Sequence, residues 1–381
     1  MLPSKEVSTR PQATAERADA CSVALEEAFD FTSAAYHDLF ARARSTAFQH
    51  PVWLAALGAQ VAPARSARQA TIVVRDRDGN LLAVLPLMRR RKSGVVLLEN
   101  ADLGVSDYAA PVVDQAFAAE LAERPDLQRQ VAEALPSYDI RRIRPVREEH
   151  LALWQALLPG RVEGLDFSAH ATALGSDYAG WRAAKPSKSL LGRLSRAEKQ
   201  MVKLGGGAVH KLDDPKEIRA AVATIQALRA GRFEGDPIQE DFVRDFYAAV
   251  AVDGAAEGFA AVYRLDIGGA TAGTVFGLCH GGAYHYLLIG CDYENFGRCS
   301  PGLILYDRII RDWIERGGAV FDFTIGDEPF KADFGTEPTK MFAVVHAPGW
   351  RGRLALAAFE ARAQLRQKLS SNRSPEAQAA S

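Results

Sequence analysis

The chain has 381 residues, of which 48% are hydrophobic and 24% charged, and this composition is typical of a globular protein long enough for two domains. Its 46 Lys and Arg nearly balance its 47 Asp and Glu, so a net charge of −1 argues against nucleic acid as a partner. Apolar runs such as Leu81 to Met88 are too short to span a membrane. Four cysteines without a CxxC pair predict free thiols rather than a zinc site, and no apolar signal segment follows Lys5 and Arg10, which favours a cytoplasmic location.

Composition divides the chain into four predicted parts. Residues 1–20 are polar and Ala-rich and are expected to be a disordered leader. Two α/β domains follow over 21–165 and 166–350, and 351–381 are expected to form a basic C-terminal helix and a polar tail.

The first half mixes predicted helices and strands. Its DRDG sequence at 76–79 lies between two apolar runs, which is typical of a hairpin turn. The predicted elements are a helix at Phe48–Gln60, strands at Ala70–Arg75, Leu81–Met88 and Val95–Glu99, a broadly helical region at Asp114–Leu135, and a strand at Asp139–Pro145.

Gly164–Ser176 is expected to cross into the second half, where a basic helix is predicted from Asp177 to Leu204, ending at three glycines. Further helices are predicted at Pro215–Ala230 and Gln239–Val250. Gly-Gly pairs then separate three predicted antiparallel strands, Phe259–Asp266, Ala272–His280 and Ala283–Cys291.

The sequence Ser300-Pro301-Gly302 opens a further predicted helix. Ser300 is expected to cap it, proline fits its first position, and glycine lets a ligand approach the backbone. An apolar stripe continues to Ile314, and a short buried strand is predicted at Ala319–Phe323. Free N–H groups at such a helix start favour a phosphate, while a crossover helix without any ligand is the alternative interpretation.

The runs SPGLIL and FDFTIGDEPFKADFG resemble the C-terminal acyltransferase signature of the cellulose-biosynthesis acetyltransferases of the CelD/BcsL type. That family belongs to the GNAT superfamily and is related to the FemAB transferases. FQHPVWLAAL at 48–57, LAVLPLMRRR at 82–91 and LGVSDYAAPVV at 103–113 follow in the order the family shows, so the resemblance covers about residues 45–350. It implies an α/β (α+β) fold of tandem GNAT-like domains, each a mixed, mostly antiparallel sheet flanked by helices, with a degenerate first domain.

The resemblance also implies acetyl-CoA as acyl donor and no metal. Its phosphates would lie at the start of the predicted helix, and its pantetheine arm would pair with the preceding strand through main-chain hydrogen bonds. Gly290 is expected either to allow a bulge there or to ease local packing. The implied donor-binding residues are Leu288, Ile289, Gly290, Arg298, Ser300, Pro301, Gly302 and Leu303.

Catalytic groups are expected in the charged loop after the last strand. The resemblance implies that Asp322 or Glu328 acts as base or acceptor anchor, and that Lys331 pairs with acceptor charge or polarises the developing oxyanion. Alternatively, Asp327 and Glu328 are solvated turn residues and Lys331 pairs with one of them. Strand alternation places His285 among apolar side chains with Leu287 and Ile289. The expected acceptor-binding residues are Arg229, Arg232, Tyr284, Tyr286, Asp107 and Tyr108.

These features predict an acyl-CoA-dependent N-acetyltransferase that acts on a sugar or sugar precursor, such as a nucleotide- or lipid-linked glycan, in exopolysaccharide or adhesin synthesis by direct transfer in a ternary complex. The alternatives are FemAB-like aminoacyl transfer from charged tRNA and a non-catalytic regulatory or scaffold GNAT pair. The arginines of the last helix suggest contact with polysaccharide-synthesis machinery at the inner membrane, or regulation by cyclic di-GMP.

Overall fold

The computed structural model describes residues 21–371, so the predicted leader and residues 372–381 lie outside it. The strands are β1 Ser22–Glu26, β2 Ala67–Gln69, β3 Thr71–Arg75, β4 Leu81–Leu85, β5 Leu87–Lys92, β6 Val95–Asn100, β7 Val112–Val113, β8 Ile140–Arg147, β9 Arg161–Ala173, β10 Gly207–Leu212, β11 Ala260–Ile267, β12 Ala270–His280, β13 Ala283–Cys291, β14 Val320–Ile325 and β15 Glu337–His346.

The helices between them account for most of the remaining chain. They are α1 Ala34–Arg42, α2 Pro51–Ala56 (continued by a π-helical turn, Leu57–Val61, and by Ala62–Ala64), α3 Gln115–Ala118, α4 Pro125–Ala134, α5 Glu148–Leu157, α6 Tyr178–Ala184, α7 Lys188–Lys203, α8 Pro215–Arg229, α9 Asp241–Ala256, α10 Tyr293–Phe296, α11 Pro301–Glu315, α12 Phe330–Asp333 and α13 Trp350–Ser371. Short 3₁₀ turns lie at Ala47–Gln49, Leu121–Glu123, Pro237–Gln239 and Gly297–Cys299.

One large sheet runs through both halves of the protein. Its eleven strands have the order β10-β11-β12-β13-β14-β9-β15-β8-β6-β5-β2, and a smaller sheet has the order β1-β3-β4-β7. Most neighbouring strands are antiparallel, so the predicted mixed, mostly antiparallel α/β fold is confirmed.

Two parallel strand pairs, one in each half, interrupt this pattern. β13 pairs with β14, and α11 lies between them in the sequence. β6 pairs with β8, and α3 and α4 lie between them in the sequence. The first half thus repeats the strand–helix–strand arrangement of the second, although it lacks a Ser-Pro-Gly helix start.

The two halves exchange strands at the centre of the large sheet. β9, from the end of the first half, pairs with β14, and β15, from the end of the second, pairs with β8. β9 and β15 also pair with each other. The predicted domain boundary between residues 165 and 166 lies inside β9, and the four-part division of the chain stays a prediction.

Apolar side chains cover both faces of the sheet in the second half. On one face, Ile225 of α8 and Phe246 of α9 join a cluster that includes Trp53 from the first half, whose ring meets Phe246 edge-on at 4.8 Å. On the other face, Ile309 of α11 packs with Phe321 of β14. The contact between Trp53 and Phe246 buries apolar surface between the halves and helps to hold them together.

Several predicted elements need correction. The helix predicted over Asp177–Leu204 is two helices, α6 and α7, because Pro186 has no N–H to donate and Ser187 caps a new helix by accepting from Leu190 N. The region at Asp114–Leu135 is likewise interrupted before Pro125, and the predicted crossing at Gly164–Ser176 is mostly the long strand β9.

Within residues 21–371, no helix is long and apolar enough to cross a bilayer.

A cleft of about 540 Å³ between the halves is lined by aromatic and imidazole rings. The His50 ring stacks on Phe259 at 3.7 Å and accepts the N–H of Val52 at Nδ1, and His280 lies 5.1 Å from Phe40. Burial, together with the nearby His280 and His37, lowers the pKa of His50 to about 3. His50 is therefore neutral in the folded protein near neutral pH.

Acidification should destabilise the protein through His50. The unfolded chain binds a proton at this residue below about pH 6.5 whereas the folded protein does not, so the stability present above that pH is lost as the pH falls towards 3. We expect a loss on the order of 1–3 kcal/mol by pH 4, measured as urea unfolding midpoints. His50→Asn keeps a capping side chain and should flatten this pH dependence, whereas His210→Asn, at an exposed position, should leave it unchanged. Equal pH dependence in His50→Asn and wild type would contradict the assignment.

Candidate active site

The central parallel strands separate soon after they pair. β13 and β14 are hydrogen-bonded only from Ala283–His285 to Val320–Asp322. Beyond this, β13 keeps its bonds to β12 and presents an open edge from Tyr286 to Cys291. An open strand edge inside the protein is a place where an extended ligand with amide groups can add by main-chain hydrogen bonds.

A strained residue marks the point of separation. Thr324 has φ +56°, a conformation that β-branched residues rarely adopt. Its N–H donates to Asp322 Oδ1 at 2.7 Å, and its hydroxyl donates to the carbonyl of Tyr286 at 3.0 Å. Thr324 therefore bridges the two strands where they begin to diverge.

A bulge in β13 overturns the predicted alternation. The register shifts between Tyr286 and Leu288, so Leu287 and Leu288 both pack on the face covered by α8 and α9, and Ile289 packs on the other face. His285 is also not in an apolar setting as predicted, because its Nδ1 lies 3.2 Å from Asp322 Oδ2.

Asp322 is the centre of a buried polar network. Its side chain is 2% exposed and accepts from the Tyr108 hydroxyl at 2.9 and 3.1 Å and from Arg147 Nη1 at 3.1 Å. Burial would raise the pKa of Asp322, but His285, Arg147 and the backbone N–H of Thr324 outweigh it and hold that pKa below its usual value. A carboxylate bound by so many donors is a poor proton acceptor, so the geometry favours a structural role for Asp322 over the predicted role of base.

The surroundings of Asp107 raise its pKa, whereas those of Asp322 lower the pKa of that residue. Burial raises the pKa of Asp107 to about 7, and the charges of Asp102 and Asp322 add to the shift, while the nearby Thr324 side chain and the charge of Lys331 oppose it. Asp107 therefore reaches the point of strand separation from the first half. A carboxyl group with a pKa near neutrality is suited to accept and release a proton at physiological pH.

The predicted catalytic lysine is bound within its own loop. Lys331 is buried, and its Nζ donates to the carbonyls of Ile325 at 2.9 Å and Gly326 at 2.8 Å and pairs with Glu328 at 2.9 Å. All three protons of the ammonium group thus have partners in the loop. This arrangement matches the alternative of a lysine paired with a loop acid, and it does not support a free ammonium that polarises an oxyanion.

The start of α11 corrects one detail of the prediction. Pro301 occupies the first turn as predicted, but Ser300 has φ +45° and its side chain makes no capping hydrogen bond. The carbonyl of Ser300 accepts the N–H groups of Leu303 and Ile304. The N–H of Gly302 has no backbone partner within the described residues, and a Cβ added there would lie 3.0 Å from the Tyr293 hydroxyl.

Two arginines at the end of α8 meet the open edge of β13. Arg229 Nη1 donates to the carbonyl of Ile289 at 3.3 Å, and Arg232 Nη1 donates to that of Cys291 at 3.4 Å. Arg229 is also held by a two-point ion pair with the buried Asp236, at 2.7 and 3.1 Å. Both predicted arginines thus lie at the open edge of β13, where they occupy the carbonyls of Ile289 and Cys291.

Other predicted site residues are parts of the core. Tyr284 is fully buried, stacks on Phe321 and donates to the carbonyl of Ala261 at 3.4 Å, so it is not available to an acceptor. Tyr286 packs edge-on against Tyr306. A Cβ on Gly290 would lie 2.8 Å from Ile225 Cα, so this glycine allows α8 to pack on β13 while the bulge lies at Leu287.

Residues 188–332 match the model of the family described as the acetyltransferase (GNAT) domain. The matched segment is similar to GNAT acetyltransferases, which indicates an acyltransferase. It contains β13, the start of α11, Asp322 and Lys331. The cellulose-biosynthesis type stays a prediction, and no curated protein matches the sequence.

Similar solved structures share the fold at low sequence identity. FemX is 14% identical with a TM-score of 0.52, covering 80% of this chain and 93% of its own. The C-terminal domain (DUF2156) of an Agrobacterium fabrum protein described as a lysylphosphatidylglycerol synthetase is 12% identical with a TM-score of 0.51, covering 85% and 94%. A conserved protein of unknown function from Bacteroides thetaiotaomicron VPI-5482 is 12% identical with a TM-score of 0.50, covering 85% and 100%.

Sequence reasoning missed Thr324 and Arg147. Thr324 carries no local signal, because a threonine in a strand is ordinary and only its backbone conformation is unusual. Arg147 lies 175 residues before Asp322, and the local sequence has no pattern that links them. Asp107 and Tyr108 were found only through the resemblance carried by GVSDY.

Proposed function

We propose that the protein transfers an acyl group, acetyl in the simplest case, from acyl-CoA to the amine of a sugar or sugar precursor. The observation that carries the proposal is the opening between β13 and β14 beside the start of α11, with Asp107 at its inner end. The sugar acceptor and a link to polysaccharide-synthesis machinery rest on the sequence resemblance alone.

The donor fits the open edge and the helix start together. Its phosphates would lie near the Gly302 N–H and the exposed Arg298 side chain. The amide groups of its arm would pair with β13, taking over the carbonyls of Ile289 and Cys291 from Arg229 and Arg232. Its thioester would then lie near Thr324, where the strands diverge.

The chemistry requires a neutral amine and a stabilised tetrahedral intermediate. Asp107 takes a proton from the neutral acceptor amine as its nitrogen attacks the thioester carbonyl, which forms the C–N bond of a tetrahedral intermediate. The intermediate collapses by breaking the C–S bond, and the leaving thiolate takes up the proton held by Asp107, so atoms and charges balance. Main-chain N–H groups of β13 near Leu288 to Cys291 would donate to the developing oxyanion.

Calorimetric titration with acetyl-CoA tests the donor site. In Gly302→Ala the added methyl would meet the Tyr293 hydroxyl, Ile289 and Cys291, where the donor is expected to enter, and binding should weaken about tenfold or more. Gly297→Ala, in the same turn, places its methyl in open space and should bind as the wild type does. Melting temperatures of both variants check that the fold is kept.

No binding of acetyl-CoA by the wild-type protein would overturn acyl-CoA as donor. Binding that Gly302→Ala leaves unchanged would place the donor elsewhere. A donor without a pantetheine arm would have no need of the carbonyls of Ile289 and Cys291, which arginines hold in this structure. That observation favours aminoacyl transfer from charged tRNA as the second candidate.

A further inference from the structure

An apolar face is exposed at the start of α13. The Trp350 side chain is 75% exposed, and that of Leu354, one turn later, is 65% exposed. Ala357 and Ala358 are exposed on the next turn, and the helical repeat places them on the same face. Tryptophan is highly buried in most proteins, so a Trp exposed together with other apolar side chains indicates a binding surface.

The opposite face of α13 is already packed. Leu356 and Phe359 join a cluster on β6, β8 and β15. A Cβ added at Gly352 would lie 1.9 Å from the Asp139 carbonyl oxygen, so the helix lies directly against the chain before β8. A rotation of α13 that buried Trp350 would expose the packed side chains. The apolar face is therefore left uncovered by the described part of the chain.

The hairpin of β5 and β6 lies beside the start of α13. Val95 in this hairpin packs in the same cluster as Leu356. Asp139, whose carbonyl lies against Gly352, also exchanges hydrogen bonds with Val96. Its N–H donates to the Val96 carbonyl at 2.9 Å, and its Oδ2 accepts the Val96 N–H at 2.8 Å. The hairpin tip and the first turn of α13 therefore form one continuous surface.

Four exposed cations border the apolar face on this surface. They are Arg91 and Lys92 at the hairpin tip, and Arg351 and Arg353, which the helical repeat places on either side of the apolar face. The segments 87–95 and 348–359 contain no Asp or Glu, although the whole chain has a net charge of −1. The surface thus combines exposed apolar side chains with a local excess of positive charge.

We propose that this surface, made of Trp350, Leu354 and the four cations around them, binds the face of an anionic phospholipid bilayer. The two apolar side chains insert among the headgroups, and the cations bind lipid phosphates. Tryptophan is enriched at the membrane–water interface, where its ring is buried in an apolar layer and its N–H stays near polar groups. Arginine and lysine beside such a ring are typical of helices that lie on anionic membranes.

Charge complementarity favours a bilayer over the other occupants. A symmetric contact between two copies of this chain would bring the same four cations face to face, and like charges repel. A nucleic acid would match the charge but would leave Leu354 without an apolar partner. The inference goes beyond the proposed acyl transfer and does not depend on it.

Sedimentation with lipid vesicles tests the proposal. The wild-type protein should bind vesicles of equimolar phosphatidylglycerol and phosphatidylcholine at least about tenfold more tightly than vesicles of phosphatidylcholine alone. Replacing both Arg351 and Arg353 by Gln should weaken binding to the anionic vesicles about tenfold or more, since each cation near such a surface contributes about fivefold. Trp350→Ala should weaken it about tenfold, because the apolar area of the ring is no longer buried. Replacing both Arg196 and Lys199, two exposed cations of α7, by Gln should leave binding unchanged.

Trp350 can also report its own insertion. Its fluorescence should shift to shorter wavelength when anionic vesicles are added, because the ring leaves water. Trp350→Phe keeps an aromatic ring, so it should still bind the vesicles but lose this shift. Trp53, Trp154 and Trp181 are buried and should not contribute to it.

Three results would overturn the proposal. The first is absence of binding to the anionic vesicles by the wild-type protein, or equal binding by wild type and Trp350→Ala. The second is a loss of binding in the α7 variant as large as in the variant of Arg351 and Arg353, since attraction would then follow charge in general. The third is a dimer, measured by light scattering, that Trp350→Ala converts to a monomer, since a second copy would then be the occupant. None of these measurements uses acetyl-CoA, so they stand whether or not the proposed acyl transfer is correct.

Discussion

Replacing Asp107 by Asn should lower kcat by about 100- to 10,000-fold, because the amide cannot take a proton from the acceptor amine. The side chain keeps its size and its contact with Thr324, so acetyl-CoA should bind with an unchanged Kd. In the wild-type protein, kcat/KM should rise with pH through about 7, the pKa of Asp107, as the carboxyl group ionises. Steady-state rates of CoA release across pH 5.5–9 measure both effects.

A second Asp→Asn variant distinguishes the loss of the proton acceptor at Asp107 from the general effect of removing one negative charge. Asp327 is a half-exposed carboxylate in the loop after β14 and pairs with His170 of β9. The Asp327→Asn variant should keep most of the wild-type activity. A fall of less than about fivefold in Asp107→Asn, or an unchanged pH profile, would show that another group accepts the proton.

Replacing Asp322 by Ala should destabilise the protein by about 3–5 kcal/mol, because His285 and Tyr108 would remain buried without their acceptor and Arg147 would keep only its pair with Glu149. The loss reaches both halves, since Arg147 and Tyr108 come from the first half and Asp322 from the second. Urea unfolding followed by circular dichroism measures the change.

Smaller changes in the same network should have smaller effects. Tyr108→Phe removes one donor to Asp322 and should cost about 1 kcal/mol, while Asp327→Ala, at a half-exposed position, should cost less than about 1 kcal/mol. If Asp322→Ala unfolds at the urea concentration of Asp327→Ala, the buried network does not hold the halves together.

Local patterns predicted the meander of β11, β12 and β13 well. Gly268-Gly269 and Gly281-Gly282 have positive φ angles and form the two hairpin turns, as the Gly-Gly pairs indicated. Pro301 likewise stands at the first position of α11. In each case one residue type restricts the backbone wherever it occurs, so no distant contact is needed for the prediction.

Features that depend on distant contacts were not predictable in this way. Alternation placed Ile289 on the face of His285, but the bulge at Leu287 shifts all following side chains by one position. Asp322 was assigned as a base from its place in a motif, whereas its donors Tyr108 and Arg147 lie more than 170 residues away in sequence. Its proton affinity is set by those donors, and a carboxylate's neighbours in space cannot be read from its neighbours in the chain.

Because β9 and β15 each pair with a strand of the other half, they determine whether the two halves stay associated after the backbone is cleaved between them. Each half completes the other's sheet, so a break in the turn between β9 and α6 leaves two fragments that share the hydrogen bonds of β9–β14 and β15–β8. Such fragments would stay associated until denatured, and either one made alone would expose an unpaired strand edge of the kind that drives aggregation. Both fragments are thus needed to complete the large sheet, and the proposed acyl-transfer site takes residues from each of them.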